Sequence, residues 1–224
     1  MSYYERNLPH YQPAGHTFFI TFRLADSLPI SAVLKLKNEK EKFIQKISSM
    51  ADSTKKKEAY YSYHGKYFAK FDSLLDKVST GPTWLLNSLV LAKLKHSLIE
   101  HDGEWYDLIS YCVMPNHVHI IFTLMEENKS DFDDKVKIDC GPTANYRVTK
   151  ILQNIKSKSA LTANKISNRH GQFWHHESYD HVVRNEDELS RIIKYTLMNP
   201  VKAGYVENWE NWAGNFLKSS YEMK

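Results

Sequence analysis

The sequence contains few cysteines, no long apolar run and little net charge. Cys112 and Cys140 are its only cysteines, and neither belongs to a Cys-x-x-Cys pair, so neither a cysteine-built zinc site nor a disulfide framework is expected. No stretch of about 18 apolar residues occurs, which excludes a membrane-spanning helix. Residues 1–10 lack the apolar segment of a signal peptide, and a cytoplasmic protein is therefore the expectation.

The composition is that of a folded protein. Hydrophobic residues make up 42% of the 224 positions and aromatic residues 13%, which separates the chain from disordered sequences. The 30 Lys and Arg residues against 26 Asp and Glu residues give a formal charge of +4, which permits a polyanionic partner without requiring one. The length suits one hydrophobic core with a large insertion, and we expect a single domain over residues 1–224.

Hydrophobic periodicity predicts the order of the main elements. In the segment 17–24, Phe18, Ile20, Phe22 and Leu24 alternate with Thr17, Thr21 and Arg23, which indicates a half-buried strand. Pro200 ends the last of the segments with helical spacing. Strands are predicted at 17–24, 105–113, 117–124 and 180–184, and helices at 84 to about 100, 146–163 and about 187–198. A turn at 114–116 joins the second and third strands, and an exposed loop is predicted at 126–143.

This order predicts an α+β fold. Strand, helix, strand, strand, helix, strand and one extra helix is the split βαβ pattern of ferredoxin-like domains, an antiparallel sheet with helices on one face. A helical insertion is predicted at about 33–80, where apolar residues recur at helical spacing. The run Lys55, Lys56 and Lys57 within it is either a solvated helix face or a contact with DNA phosphates.

Two histidines mark a candidate metal site on the third predicted strand. His117 and His119 are two residues apart, so both imidazoles project from the same side of the strand, while Val118, Ile120 and Phe122 project from the other. A polar pair on one face and an unbroken apolar face behind it is what a metal site on a sheet requires. The alternative is a pair of solvent-facing histidines without a function.

Other protein classes use the same His-x-His spacing in different contexts. Histidine-triad nucleotide hydrolases require a third histidine at the position of Ile121. Two-histidine phosphoesterases require repeated His-x-Thr or His-x-Ser motifs, whereas His119 is followed by Ile120 and Ile121. Both classes are therefore disfavoured.

Tyr195 lies at the edge of the apolar stripe of the last predicted helix. At 100° per residue, Tyr195 and Asn199 lie within about 40° of each other, so the ring can pack while the hydroxyl reaches a cleft. Pro200 biases Asn199 away from helical backbone angles. A single tyrosine among 14 is by itself weak evidence for a nucleophile, since most tyrosines pack or lie on the surface.

Two segments carry a resemblance to a known family. VMPNHVHIIF at 113–122 and IIKYTLMNPVKAGYV at 192–206 resemble the two signatures of the single-tyrosine HUH transposases, and within them the REP-associated tyrosine transposase group. The segments LPHYQPAGHTFFITFRL at 8–24 and GQFWHHESYDHVVRN at 171–185 are similar to the same group. The resemblance spans most of the chain and covers the insertion least.

The resemblance implies both the site and its chemistry. His117 and His119 match the metal-binding histidines, and Tyr195 matches the nucleophile. Asn199 stands where related transposases carry a polar third ligand, commonly glutamine. The implied reaction is attack of Tyr195 on a phosphate of single-stranded or hairpin DNA, assisted by Mg²⁺ or Mn²⁺, which gives a 5′-phosphotyrosyl intermediate and allows strand transfer.

Further residues are candidates for DNA contacts. Lys194 and Lys202 flank the tyrosine and can favour its phenolate, and the remaining candidates are Trp174, His175, His176 and Arg184. For Trp174 a place in the core is an equally good interpretation. The alternative to an active transposase-like endonuclease is a catalytically idle, sequence-specific DNA-binding protein of the same fold. The oligomeric state stays open between monomer and homodimer.

Overall fold

The computed structural model describes residues 15–77, 81–125 and 147–223. The loop predicted at 126–143 and the first part of the N-terminal segment at 8–24 lie outside the described residues. The chain forms two compact units, one comprising Met1–Ala25 and Trp84–Lys224 and the other Asp26–Thr83. Among the described residues, no helix combines the length and the apolar character that crossing a membrane requires. The expectation of a single domain stays a prediction.

The larger unit is built on a five-stranded antiparallel sheet. Its strands are β1 (Thr17–Leu24), β2 (Tyr106–Val113), β3 (His117–Leu124), β4 (Trp174–Val182) and β5 (Asn215–Leu217), in the spatial order β4-β1-β3-β2-β5. The helices α3 (Ser88–Ile99) and α4 (Arg147–Ile166) connect β1 to β2 and β3 to β4. This topology confirms the predicted α+β, ferredoxin-like sheet, to which β5 adds an edge strand.

One face of the sheet carries the main hydrophobic core. The even-numbered residues of β1 and β3 point to this face, where α3 and α4 cover them with apolar side chains at helical spacing. Members include Phe18, Ile20, Val118 and Ile120, all completely buried. The apolar face behind the histidines therefore packs on helices, as the alternation predicted.

The helix α5 (Glu186–Leu197) lies against the opposite face of the sheet. Asn185 caps its first turn by accepting from the backbone N–H of Glu188, and its last turn places Tyr195 beside Phe19 of β1, with 6.4 Å between ring centroids. Because α3 and α4 cover one face of the sheet and α5 covers the other, neither face is left open to solvent along β1. The prediction of a half-buried first strand was wrong, since Thr21 and Arg23 are buried as well.

Other boundaries differ from the expected ones. A 3₁₀ turn at Trp84–Leu86 precedes α3, so that helix begins at Ser88 with Asn87 as its cap. The strand β4 starts at Trp174 rather than at 180 because a register shift opposite β1 lets an irregular segment pair with the sheet. A short helix, α6 (Asn199–Lys202), follows α5.

The smaller unit is a pair of helices. The helices α1 (Ile30–Ser48) and α2 (Ser53–Lys77) match the helical insertion predicted at about 33–80. Phe43 stacks on Tyr63 with 3.7 Å between ring centroids, and Lys70 pairs with Glu39 at 2.6 Å. These contacts and the four-residue connection at 49–52 make the two helices antiparallel neighbours.

Candidate metal and nucleophile site

The two histidines are buried on the face of the sheet that α5 covers. His117 and His119 are both completely inaccessible to solvent. They occupy alternate positions of β3, a central strand, with Arg23 and Thr21 of β1 as their register partners. The alternative of two solvent-facing histidines does not describe this arrangement.

The imidazoles converge through their Nε2 atoms. The His117 Nε2 and His119 Nε2 atoms are 3.1 Å apart. The opposite ring nitrogens have oxygen partners: His117 Nδ1 lies 2.7 Å from Asn116 Oδ1, and His119 Nδ1 lies 2.7 Å from Thr21 Oγ1. Such partners fix ring orientation and, when Nδ1 donates, leave the Nε2 lone pair directed at a common point.

Burial keeps His119 neutral. Loss of hydration, with a smaller contribution from the charge of Lys202, lowers the pKa of His119 to about 3. A neutral imidazole is the form that binds a metal, because the charged form carries protons on both nitrogens.

The donor set fits a divalent cation. Two ligands bound at about 2.1 Å and at right angles are about 3.0 Å apart, close to the Nε2–Nε2 distance. The Asn199 side-chain amide is 2.7 Å from His119 Nε2 and is almost completely buried. Its oxygen and nitrogen are assigned from the hydrogen-bond network, so a rotated amide would present oxygen to the same point. An amide oxygen suits Mn²⁺ or Mg²⁺, whereas imidazole by itself prefers softer metals.

Tyr195 stands next to this group. Its ring is 5.9 Å from the His119 ring, measured between centroids, and meets it edge-on. Tyr195 is half-buried, which agrees with the helix-edge position deduced from periodicity. The structure thus brings together His117, His119, Tyr195 and Asn199, which lie up to 82 positions apart in the sequence.

Asn199 reaches the site because the helix is interrupted before it. The helix α5 ends at Leu197, and Asn199 begins α6 with Pro200 in its first turn. Proline is accepted there because the first turn of a helix needs no backbone N–H donor. The sequence left the geometry at this position open.

The two lysines near the tyrosine are not equivalent. Lys202 Nζ lies 4.5 Å from the centroid of the Tyr195 ring, and its charge also acts on His119. Lys194 is exposed and immediately precedes Tyr195 on α5, so its side chain projects about 100° away from that of Tyr195.

The remaining DNA-contact candidates differ in availability. Trp174 is only 5% exposed, and its Nε1 donates to Ser159 Oγ at 2.9 Å, which favours its interpretation as a core residue. His176 is exposed, and His175 is half-buried with its Nδ1 accepting from the Glu177 N–H. Burial, then the charges of Arg23 and Lys156, lower the pKa of His175 to about 4.

Arg184 is engaged with the first turn of α5. Its guanidinium and backbone N–H donate to Glu188, and the pKa of this carboxylate falls to about 2, mainly through the Arg184 side chain. His181 Nε2 also contacts Glu188, at 3.1 Å. This group joins the end of β4 to the first turn of α5.

Three neighbours of the histidines were missed by the sequence reasoning. Thr21 and Asn116 hold the imidazoles, and Phe19 stacks on the His119 ring with 5.5 Å between centroids. Phe19 and Thr21 are odd-numbered residues of β1, so its alternation already placed them on one face. Which strand pairs with the histidine strand, and in which register, was the missing information.

Comparisons with known proteins point in one direction. No protein-family model matches the chain. A protein of Haemophilus influenzae that carries the name REP-associated tyrosine transposase is 26% identical over 108 residues, 48% of this chain and 56% of that protein. The REP-associated tyrosine transposase of Escherichia coli K12 is 25% identical over 120 residues, 53% of this chain and 59% of that protein. The chain thus spans just over half the length of the curated relatives it matches.

A solved structure of a REP-associated tyrosine transposase bound to a REP hairpin aligns with 96% of this chain and 82% of its own, at 17% identity and a TM-score of 0.49. The two curated relatives confirm the resemblance that the two sequence signatures predicted.

Proposed function

Because this chain is related to the REP-associated tyrosine transposases, we propose that it cuts and rejoins single-stranded or hairpin DNA. The observation that carries the proposal is the convergence of two buried imidazole Nε2 atoms, 3.1 Å apart, beside the ring of Tyr195. An idle DNA-binding protein needs neither a convergent imidazole pair nor a tyrosine at its edge.

The reaction is a phosphoryl transfer to tyrosine. The Tyr195 oxygen attacks the scissile phosphorus, a P–O bond to tyrosine forms, and the bond to the 3′ oxygen breaks. The departing strand takes up a proton and ends in a 3′-hydroxyl, while the other strand stays attached through a 5′-phosphotyrosyl link. Attack of a 3′-hydroxyl on this link reverses the step and joins a strand, so no external energy source is needed.

His117, His119 and Asn199 would hold the metal ion. When bound, a divalent cation supplies Lewis-acid polarisation of the phosphate. Thr21 and Asn116 orient the imidazoles toward the common point, and burial keeps His119 unprotonated. Free tyrosine has a pKa of about 10. The ammonium of Lys202 over the Tyr195 ring favours the phenolate that attacks.

The test is covalent capture. The full chain is incubated with hairpin-forming single-stranded oligonucleotides and with Mn²⁺ or Mg²⁺, and adducts are resolved by denaturing electrophoresis. We expect a metal-dependent protein–DNA adduct in the native protein and none in Tyr195→Phe. No adduct with native protein that binds the same DNA would instead favour the idle DNA-binding alternative. An undiminished adduct in Tyr195→Phe would rule out this tyrosine as the nucleophile.

A further inference from the structure

The net positive charge of the chain resides in its smaller unit. Asp26–Thr83 contains eleven lysines and seven acidic residues, a surplus of +4, whereas the remaining 166 residues contain nineteen basic and nineteen acidic residues. The unit that carries the histidines and Tyr195 is therefore formally neutral. The helices α1 and α2 therefore lie in the unit that holds the formal charge surplus, which favours contact with a polyanion.

The acidic residues of α1 pair with lysines and leave three other exposed lysines of this helix without an ion pair among the described residues. Glu39 pairs with Lys70 at 2.6 Å, and Glu41 pairs with Lys37 at 4.0 Å. Within the part of the chain that the structure describes, no ion pair involves the three exposed lysines that remain along α1: Lys35, Lys42 and Lys46.

These three lysines form a line. Residues seven and eleven apart return to nearly the same angle on a helix, so Lys35, Lys42 and Lys46 lie within about 40° of one another over about 16 Å. On α2 the exposed Lys55 and Lys66 are also eleven residues apart and lie within about 20°.

Both lines are on the same face of the helix pair. Glu39 lies four residues after Lys35, and its partner Lys70 lies four residues after Lys66, so each is rotated by about 40° from its line in the same sense. When two helices are antiparallel, residues that are rotated by the same angle from their mutual contact project to the same side of the helix pair. We name the surface formed by Lys35, Lys42, Lys46, Lys55 and Lys66 the lysine face.

We infer that the lysine face binds the phosphate backbone of the DNA substrate outside the cleavage site. The inference rests on the proposed function, which supplies the polyanionic partner, and adds a second, sequence-independent contact to it. Lysines without acidic partners neutralise phosphates and release counterions, which gives affinity without base specificity. A neutral catalytic unit gains substrate occupancy from such a surface.

The test compares two triple variants of the full chain. Lys35→Gln, Lys42→Gln and Lys46→Gln remove the line on α1. Exposed lysines of α3 and α4, which cover the sheet face opposite the histidines, provide a control of equal charge change: Lys93→Gln, Lys158→Gln and Lys165→Gln. Fluorescence anisotropy gives Kd for a labelled single-stranded hairpin oligonucleotide in EDTA at several salt concentrations.

We expect the lysine-face variant to bind more weakly than native protein at low salt, with the difference shrinking as salt rises. Its slope of log affinity against log salt should fall by about 2, since each single-strand phosphate contact contributes about 0.7. The control variant should change this slope by less than about 0.7, the contribution of one phosphate contact. Circular dichroism and thermal unfolding establish that both variants fold.

Several outcomes overturn the inference. An unchanged slope in the lysine-face variant, with DNA binding retained, fits a surface for an acidic protein instead. An equal fall in the control variant indicates a general charge effect, and absence of DNA binding by native protein removes the partner itself. Metal-dependent adduct formation, assayed on the same preparations at saturating DNA, reports on the proposed function separately. Native protein that binds DNA with the expected slope but forms no adduct leaves the lysine face standing and rejects only the catalytic proposal.

Discussion

The ammonium of Lys202 lies 4.5 Å from the centre of the Tyr195 ring, although the two residues are seven positions apart in the chain and the break between two helices lies between them. The approach depends on α6, which starts at Asn199 and turns Lys202 back over α5. One short helical turn therefore supplies both an amide beside His119 and a cation beside the proposed nucleophile.

Replacing this cation should slow the chemistry while leaving the fold intact. We expect Lys202→Met to lower the rate of adduct formation by at least about tenfold, because a charge aimed at a developing phenolate or phosphate stabilises the transition state. Lys194→Met is the matched control, since Lys194 is exposed on α5 and rotated away from the ring. The measurement is single-turnover adduct formation at saturating DNA. Equal loss in both variants would argue against a specific role for Lys202.

The contact between Thr21 and His119 leads to a prediction about metal affinity that can be tested without DNA. Thr21→Val removes the oxygen that lies 2.7 Å from His119 Nδ1, so the imidazole loses the partner that orients it. We expect Mn²⁺ affinity, measured by isothermal titration calorimetry without DNA, to fall by about 10–100-fold.

Thr17→Val provides the control on the same strand. The Thr17 hydroxyl bonds to the Thr123 hydroxyl at 2.8 Å and contacts neither histidine. Its replacement should leave Mn²⁺ binding unchanged. Native-like binding in Thr21→Val would show that packing against Phe19 suffices to orient the ring.

The sheet could be predicted because its signals are local. Alternation in 17–24 and 117–124, the turn between β2 and β3, and the order of helices and strands are all properties of short segments. The relation of His117 to His119 follows from the same period of two. The chain order then selects the ferredoxin-like topology.

The rest of the site depends on contacts between distant segments. The choice of Thr21 as partner of His119 requires the register of β1 against β3. The position of Asn199 requires the break at Pro200, which propensity alone places only to within a residue or two. The burial of the odd-numbered face required knowing that α5 returns across it, which a segment-by-segment analysis does not provide.

Substitution of Trp174 tests whether this residue belongs to the core or contacts DNA. Its ring meets Phe22 edge-on with 4.8 Å between centroids, and its indole N–H donates to Ser159. We expect Trp174→Ala to lower the free energy of unfolding by about 3–5 kcal/mol in urea denaturation. DNA affinity of the folded fraction should stay within about twofold of native. A variant of native stability with much weaker DNA binding would support base stacking instead.

Asp180 gives the fold a pH dependence of its own. Its carboxyl lies on β4 opposite Ile20, and within the described part of the chain its Oδ2 has no hydrogen-bond partner. Burial raises the pKa of Asp180 to about 7 from its ordinary value of 3.8. Between these two values the folded protein holds a proton that the unfolded chain has released.

The contribution of Asp180 to the free energy of unfolding should therefore decline as the pH rises from about 4 to about 7, and level off above that. The full shift corresponds to about 4 kcal/mol. Partial exposure of Asp180 reduces the expected loss to about 1–2 kcal/mol. Asp180→Asn keeps the shape but cannot ionise, so the contribution disappears in the variant.

The measurement is urea denaturation of native protein and Asp180→Asn at pH 4.5, 6 and 8. Groups that titrate equally in both proteins cancel in the difference, which isolates Asp180. We expect the variant to gain about 1–2 kcal/mol on native protein between the lowest and the highest pH. Parallel stability profiles would mean that the carboxyl of Asp180 ionises normally within the fold.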